Sequence, residues 1–163
     1  MELKPLRRDS IPAAIERAKH YRYLNEPFSA ESACLDVLAV EPENQDAIKT
    51  LILAIADQFV GGSRKVQEAR GYAEKLQSEF DKHYFTGLIL ERVGKSYITL
   101  NTPESLVAAY DRLTQAMYHF EVAATLNNQS HDDAILRWNT CARFINNHNL
   151  NPAPENTYTA YGD

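Results

Sequence analysis

Apolar residues recur along this chain at three- and four-residue steps, the spacing of one face of an α-helix, and polar or helix-breaking residues separate the runs. The pattern predicts seven helices and no sheet. The first covers about 11–24, with Ser10 as its cap and Pro12 in the first turn, where amides lack intrahelical partners anyway. The second covers about 27–40, with Asn25 expected to cap it and Pro42 ending it. The third, about 45–60, follows Asn44 and carries Ile48, Leu51, Ile52, Ile55 and Phe59 on one side. Gly61-Gly62-Ser63 breaks the pattern. A fourth helix is expected over about 64–80, with Val66, Ala69, Ala73, Leu76 and Phe80 inward, and a fifth over about 83–100, with Leu88, Ile89, Val93 and Tyr97 inward. Thr102-Pro103-Glu104-Ser105 is a cap followed by proline at the first helical position. It opens a sixth helix reaching about 126, whose period is kept by Leu106, Tyr110, Leu113, Met117, Phe120 and Ala124. Ser130-His131-Asp132-Asp133 resembles a capping box and opens the seventh, to about 147. The division is therefore a lead-in over 1–10, one helical domain over 11–148, and a polar tail over 149–163 that holds Pro152 and Pro154 and is expected to be extended or disordered.

Bulk properties narrow the function. A chain of 163 residues can bury a sizeable core, and 44% hydrophobic with 24% charged residues is ordinary for a globular protein. A net charge of −5 argues against nucleic-acid binding, which needs a basic surface to displace counterions. No run is long and apolar enough for a bilayer, and no apolar segment follows Lys4, Arg7 and Arg8 as a secretory signal would require. The expectation is a cytoplasmic protein that touches neither membrane nor nucleic acid, with Cys34 and Cys141 as reduced thiols.

The first two helices carry a finer pattern. Ala18-x2-Tyr21-x8-Ala30-x3-Cys34-x2-Val37-x4-Pro42 places small residues where two antiparallel helices would cross. Ala30-x3-Cys34 is echoed by Ala69-x3-Ala73 and Ala116-x3-Phe120, at intervals of 39 and 47 residues. This spacing resembles the tetratricopeptide repeat, whose usual period is about 34 residues. The later echoes lack the closing proline, which Asp81 and Asn128 replace. The resemblance implies an all-α, right-handed stack of three helix pairs with the last helix as a cap. It also implies that the first helix of each pair lines a concave groove.

That groove would display Ile15, Lys19, Arg22 and Tyr23 from the first helix, Lys49, Leu53 and Ala56 from the third, and Leu88, Arg92 and Lys95 from the fifth. Ile135, Asn139 and Arg143 would follow from the seventh. Every charged member is a cation, although solvated helix faces carry many cations by default. The expected peptide-binding set is Lys19, Arg22, Tyr23, Lys49, Leu53, Arg92, Lys95 and Asn139. Its expected ligand is a protein or peptide, with an acidic segment or a terminal carboxylate favoured. The family's carboxylate clamp for chaperone tails is rejected, because Ile15, Thr50, Phe85 and Ile89 stand at most of its polar positions.

Catalytic patterns are missing from the sequence. The five histidines, His20, His83, His119, His131 and His148, show no His-x3-His spacing, and no Cys-x2-Cys occurs, so no metal ligands and no cofactor are expected. Cys34 and Cys141 read as core residues, since neither has a neighbouring histidine or helix N-terminus to form thiolate. Tyr21, Tyr72, Tyr97, Tyr110 and Tyr118 recur at helical spacing and read as fillers between helices. The sequence thus points to a non-catalytic adaptor. A self-associating structural repeat protein is the first alternative, and a helical enzyme or metal-binding bundle built around His119, His131 and Cys141 is the second.

Overall fold

A computed structural model describes residues 1–59, 64–126 and 131–154, with only the backbone of Arg64. The described residues form a 3-10 turn, Arg8–Ser10, and seven α-helices. These are α1 (Ile11–Tyr23), α2 (Pro27–Val40), α3 (Gln45–Ala56), α4 (Arg64–Ala73), α5 (Glu79–Ile98), α6 (Pro103–Leu126) and α7 (Asp133–Asn147). No strand occurs among them. Each helix packs on the next, and α1 also touches α3, α3 touches α5, and α5 touches α7. The odd-numbered helices therefore form one continuous layer, with α2, α4 and α6 packed against it.

The helix ends follow local chemistry, and several differ from expectation. Asn44 caps α3 as expected, its Oδ1 accepting the Ala47 N–H at 3.0 Å. Thr102 and Ser105 cap α6 reciprocally: Thr102 Oγ1 accepts the Ser105 N–H at 3.1 Å and Ser105 Oγ accepts the Thr102 N–H at 3.0 Å. Ser10 makes no cap bond to α1, and its hydroxyl donates to Asp9 instead. Asn25 does not cap α2. It takes φ +58° and stops α1, while the Glu26 N–H donates to the Tyr21 carbonyl at 2.8 Å. Asn101 and Asn149 take the same left-handed conformation after α5 and α7, a role usually left to glycine but open to asparagine. α4 ends at Ala73 rather than running to Phe80, because Ser78 caps α5 four residues earlier than expected, accepting the Asp81 N–H. Glu79 and Asp81 then sit in the first turn of α5, where the helix dipole favours anions. α3 ends at Ala56, and Val60, like the glycine break and the Ser130 cap, lies outside the described residues.

The expected tail begins later than 149. The Leu150 N–H donates to the Ile145 carbonyl at 3.0 Å, and its side chain is buried in the core. Residues 155–163 lie outside the described residues.

One core runs from Ala18 of α1 to Cys141 of α7, centred on Ile48, Leu51, Ile52, Ile55, Ile89, Leu113 and Phe120. A smaller cluster joins Ile11, Ile15, Val37 and Ala47. The three echoed pairs read in the sequence, Ala30 and Cys34, Ala69 and Ala73, Ala116 and Phe120, are buried. They lie on α2, α4 and α6, against the odd-numbered layer. On α6 the buried face is rotated from the expected one: it runs through Ser105, Ala109, Leu113, Ala116, Phe120 and Ala123. Tyr118 therefore does not fill a gap; it stands exposed, whereas Tyr72, Tyr97 and Tyr110 pack against the core.

Candidate functional site

Three helices of the odd layer meet around one carboxylate. Asp57, the residue that follows α3, accepts from Arg22 Nε of α1 through Oδ2 at 2.8 Å, and pairs with Arg92 Nη2 of α5 through Oδ1 at 3.3 Å. Each guanidinium has five N–H donors in a fixed fork, so most donors on both remain for other acceptors. The cleft beside them has a volume of about 440 Å³ and is walled by Arg22, Asn25, Ala56, Asp57, Phe59, Arg92, Lys95 and Ser96. Three cations and one carboxylate thus face a single concavity between α1, α3 and α5.

The ion pairing continues along the layer on both sides. Lys49 of α3 meets Asp81 of α5 at 2.6 Å. At the other end Glu91 of α5, almost wholly buried, is reached by Lys95 one turn on and by Arg137 of α7 at 3.6 Å. The Lys95 ammonium also lies over the Phe144 ring of α7, 5.3 Å from its centre. Burial works to lower the Arg137 pKa, but Glu91 and a hydrogen bond with Tyr84 outweigh it and hold the guanidinium charged. Burial pushes the Tyr84 hydroxyl up, against the opposing pull of Arg137.

The expected residues divide accordingly. Arg22, Arg92 and Lys95 come together at the cleft, and Ala56 forms part of its wall. Tyr23 is exposed beside Arg22. Lys49 is committed to Asp81, and Lys19 is held within its own helix by Glu16 at 2.7 Å, whose hydrogen bond raises its pKa. Leu53 is half-buried against the core, Leu88 is buried within it, Ile15 is buried in the smaller cluster, and Asn139 is half-buried on α7 away from the cleft walls. The set is therefore not an open row of cations, since each described groove lysine or arginine of α1, α3 and α5 has a carboxylate partner.

The sequence reading missed those partners. Asp57 was within reach: Lys49, Leu53 and Asp57 follow at four-residue steps along the face already assigned to the groove. Glu91 was hidden by its apolar neighbours Ile89, Leu90 and Val93.

The thiols are not reactive groups. Burial pushes both Cys34 and Cys141 up to about 12, so each stays protonated and inert at neutral pH. Among the described residues, no three His, Cys, Asp or Glu side chains gather in a way that could hold a metal ion, and no helix is long and apolar enough to cross a membrane. No protein-family model matches the chain, and neither does any curated protein or solved structure.

Proposed function

We propose that this chain is a non-catalytic adaptor, a tetratricopeptide-like right-handed stack of three helix pairs capped by α7, which holds an acidic protein segment against α1, α3 and α5. The observation that carries the reading is the cleft at Asp57. Two arginines from different helices converge there with Lys95 beside them, leaving an excess of cations over carboxylates on a concave surface. Bidentate guanidinium donors suit a carboxylate, and converging positive potentials steer an acidic segment to the site. The buried small residues of α2, α4 and α6 support the repeat-like stacking. The inert thiols fit a role without a nucleophile.

The test is titration of an acidic peptide into the wild-type chain and into Arg92→Glu. Binding that weakens with salt and is lost in Arg92→Glu is the expected result; binding unaffected by both removes the cleft as the site.

A second reading has its own observation. Tyr118 and Leu126 on α6 and Ile135 and Leu136 on α7 are large exposed apolar side chains. A second copy of the chain associating through them would make this a self-assembling structural protein. Sedimentation at rising concentration distinguishes it, since a monomer at all concentrations ends that reading.

A further inference from the structure

On another side of α5, Lys82, Thr86 and Leu90 follow at four-residue steps and form one wall of a second cleft, of about 350 Å³. Arg70 and Ala73 of α4, Glu74 just after it, and Gln115 and His119 of α6 complete it. Behind its wall, His119 faces His83 of α5, with their Nδ1 atoms 3.1 Å apart. Two imidazoles at that distance hold one proton between their Nδ1 atoms. The nitrogen of His119 left for other partners is therefore Nε2. We infer that this cleft binds a phosphate-type dianion, held by Arg70, Lys82 and His119, and that binding is coupled to proton uptake by His119.

The charges around His119 favour an anion over a cation. From α4 it is faced by Arg70, with Glu74 further along the same cleft wall; from α5 by His83 and Lys82; on α6 its neighbours Gln115 and Tyr118 are uncharged side chains. Burial, His83 and Arg70, in that order, all lower its pKa, while Glu79 interacts with His83 on the far side of the imidazole pair. Arg70 and Lys82 bring two cations to the cleft against the one carboxylate of its lining, Glu74, and guanidinium and ammonium donors suit an oxyanion rather than a metal ion. Lys82 pairs with Glu79, an exposed pair one turn apart, which an incoming oxyanion exchanges easily. The volume lies in the range of small-molecule sites and exceeds the needs of a bare oxyanion, so a phosphate ester of a small molecule fits better than free phosphate. An anion at Nε2 favours the imidazolium, whose Nδ1–H then donates to His83.

The probe is sulfate, a tetrahedral dianion whose own charge is constant from pH 6 to pH 8, titrated at fixed ionic strength into the full chain while the histidine imidazole resonances are followed. The expected result is a saturable shift of the His119 resonance, with affinity several-fold tighter at pH 6 than at pH 8. Arg70→Gln should remove it, Lys82→Gln should weaken it, and Arg17→Gln, the same charge loss on the exposed face of α1, should leave it unchanged. His119→Gln should keep weak binding but lose the pH dependence. At pH 7, glycerol 3-phosphate should bind more tightly than inorganic phosphate. No saturable shift at tens of millimolar sulfate, equal binding in Arg70→Gln, or affinity independent of pH in the wild-type chain would each overturn the inference.

Discussion

Gly87 of α5 lies directly against the Phe120 ring of α6: a methyl group on its Cα would come within 2.7 Å of the ring. Phe120 is fully buried and cannot move aside without disturbing the centre of the core. Gly87→Ala should therefore overpack the α5–α6 contact and cost about 1–3 kcal/mol. Gly71, within α4, meets nothing within 4 Å. Gly71→Ala should instead stabilise the chain by about 0.4–1 kcal/mol, by restricting the unfolded state. Urea denaturation of the two variants should show opposite signs, and equal signs would contradict the packing described.

Ala30 of α2 and Ala18 of α1 are both fully buried, and α1 packs on α2. Ala30→Leu should destabilise the chain by about 1–3 kcal/mol, read from the same denaturation curves. A change near zero would mean that the helices do not pack closely there.

Asp57→Ala has two expected consequences of different sign. It removes the carboxylate that bridges α1 and α5 through partly exposed arginines, so stability should fall by about 1 kcal/mol or less. It also frees both guanidinium groups, so an acidic peptide should bind more tightly, as calorimetric titration would measure. Weaker binding would show that Asp57 contacts the ligand favourably.

The thiols set an alkaline limit. Both are held protonated in the fold up to about pH 12, against an ordinary value of 9.0. Above that ordinary value the unfolded chain releases protons that the folded chain keeps. Stability is thus fully present below about pH 9 and is lost as pH rises towards 12, by about 1.4 kcal/mol per pH unit per thiol. Replacing both Cys34 and Cys141 with alanine should flatten that alkaline limb. In the native wild type at pH 8, iodoacetamide should label neither until the chain unfolds.

Local signals were legible where one short stretch decides the outcome. The reciprocal Thr102–Ser105 cap and the proline after it set the start of α6, and the apolar period carried it to Leu126. On α6 the expected Leu113 and Phe120 are buried, but the rest of the face lies to one side of the expected one, since half-buried Leu106, Tyr110 and Met117 dominate the period while small, fully buried Ala109, Ala116 and Ala123 set the contact. Ser78 was passed over because Phe80 prolongs an apolar period that in fact belongs to the next helix. Asn25 carried two meanings, cap or left-handed stop, and the backbone bond from Glu26 to Tyr21 decides for the stop. Arg22, Arg92 and Lys95 shared a groove in the sequence only through the stacking that the repeat resemblance implies, and the cleft at Asp57 brings these three together. The His83–His119 contact joins residues 36 apart on different helices, and no spacing rule reaches that far.

For the proposed acidic segment, the bridge at Asp57 would also make the cleft selective by valence. A carboxylate arriving at Arg22 and Arg92 meets one already in place, tethered to α3 and so present at an effective concentration that a short tether raises to about millimolar or more. A ligand with a single acid group competes against that resident at a disadvantage. A segment with two or three carboxylates in succession can displace Asp57 at one guanidinium while engaging Lys95 with the next. Occupation would then loosen the tie between α1 and α5, so the ligand that fits would also free the two helices that receive it to move relative to each other.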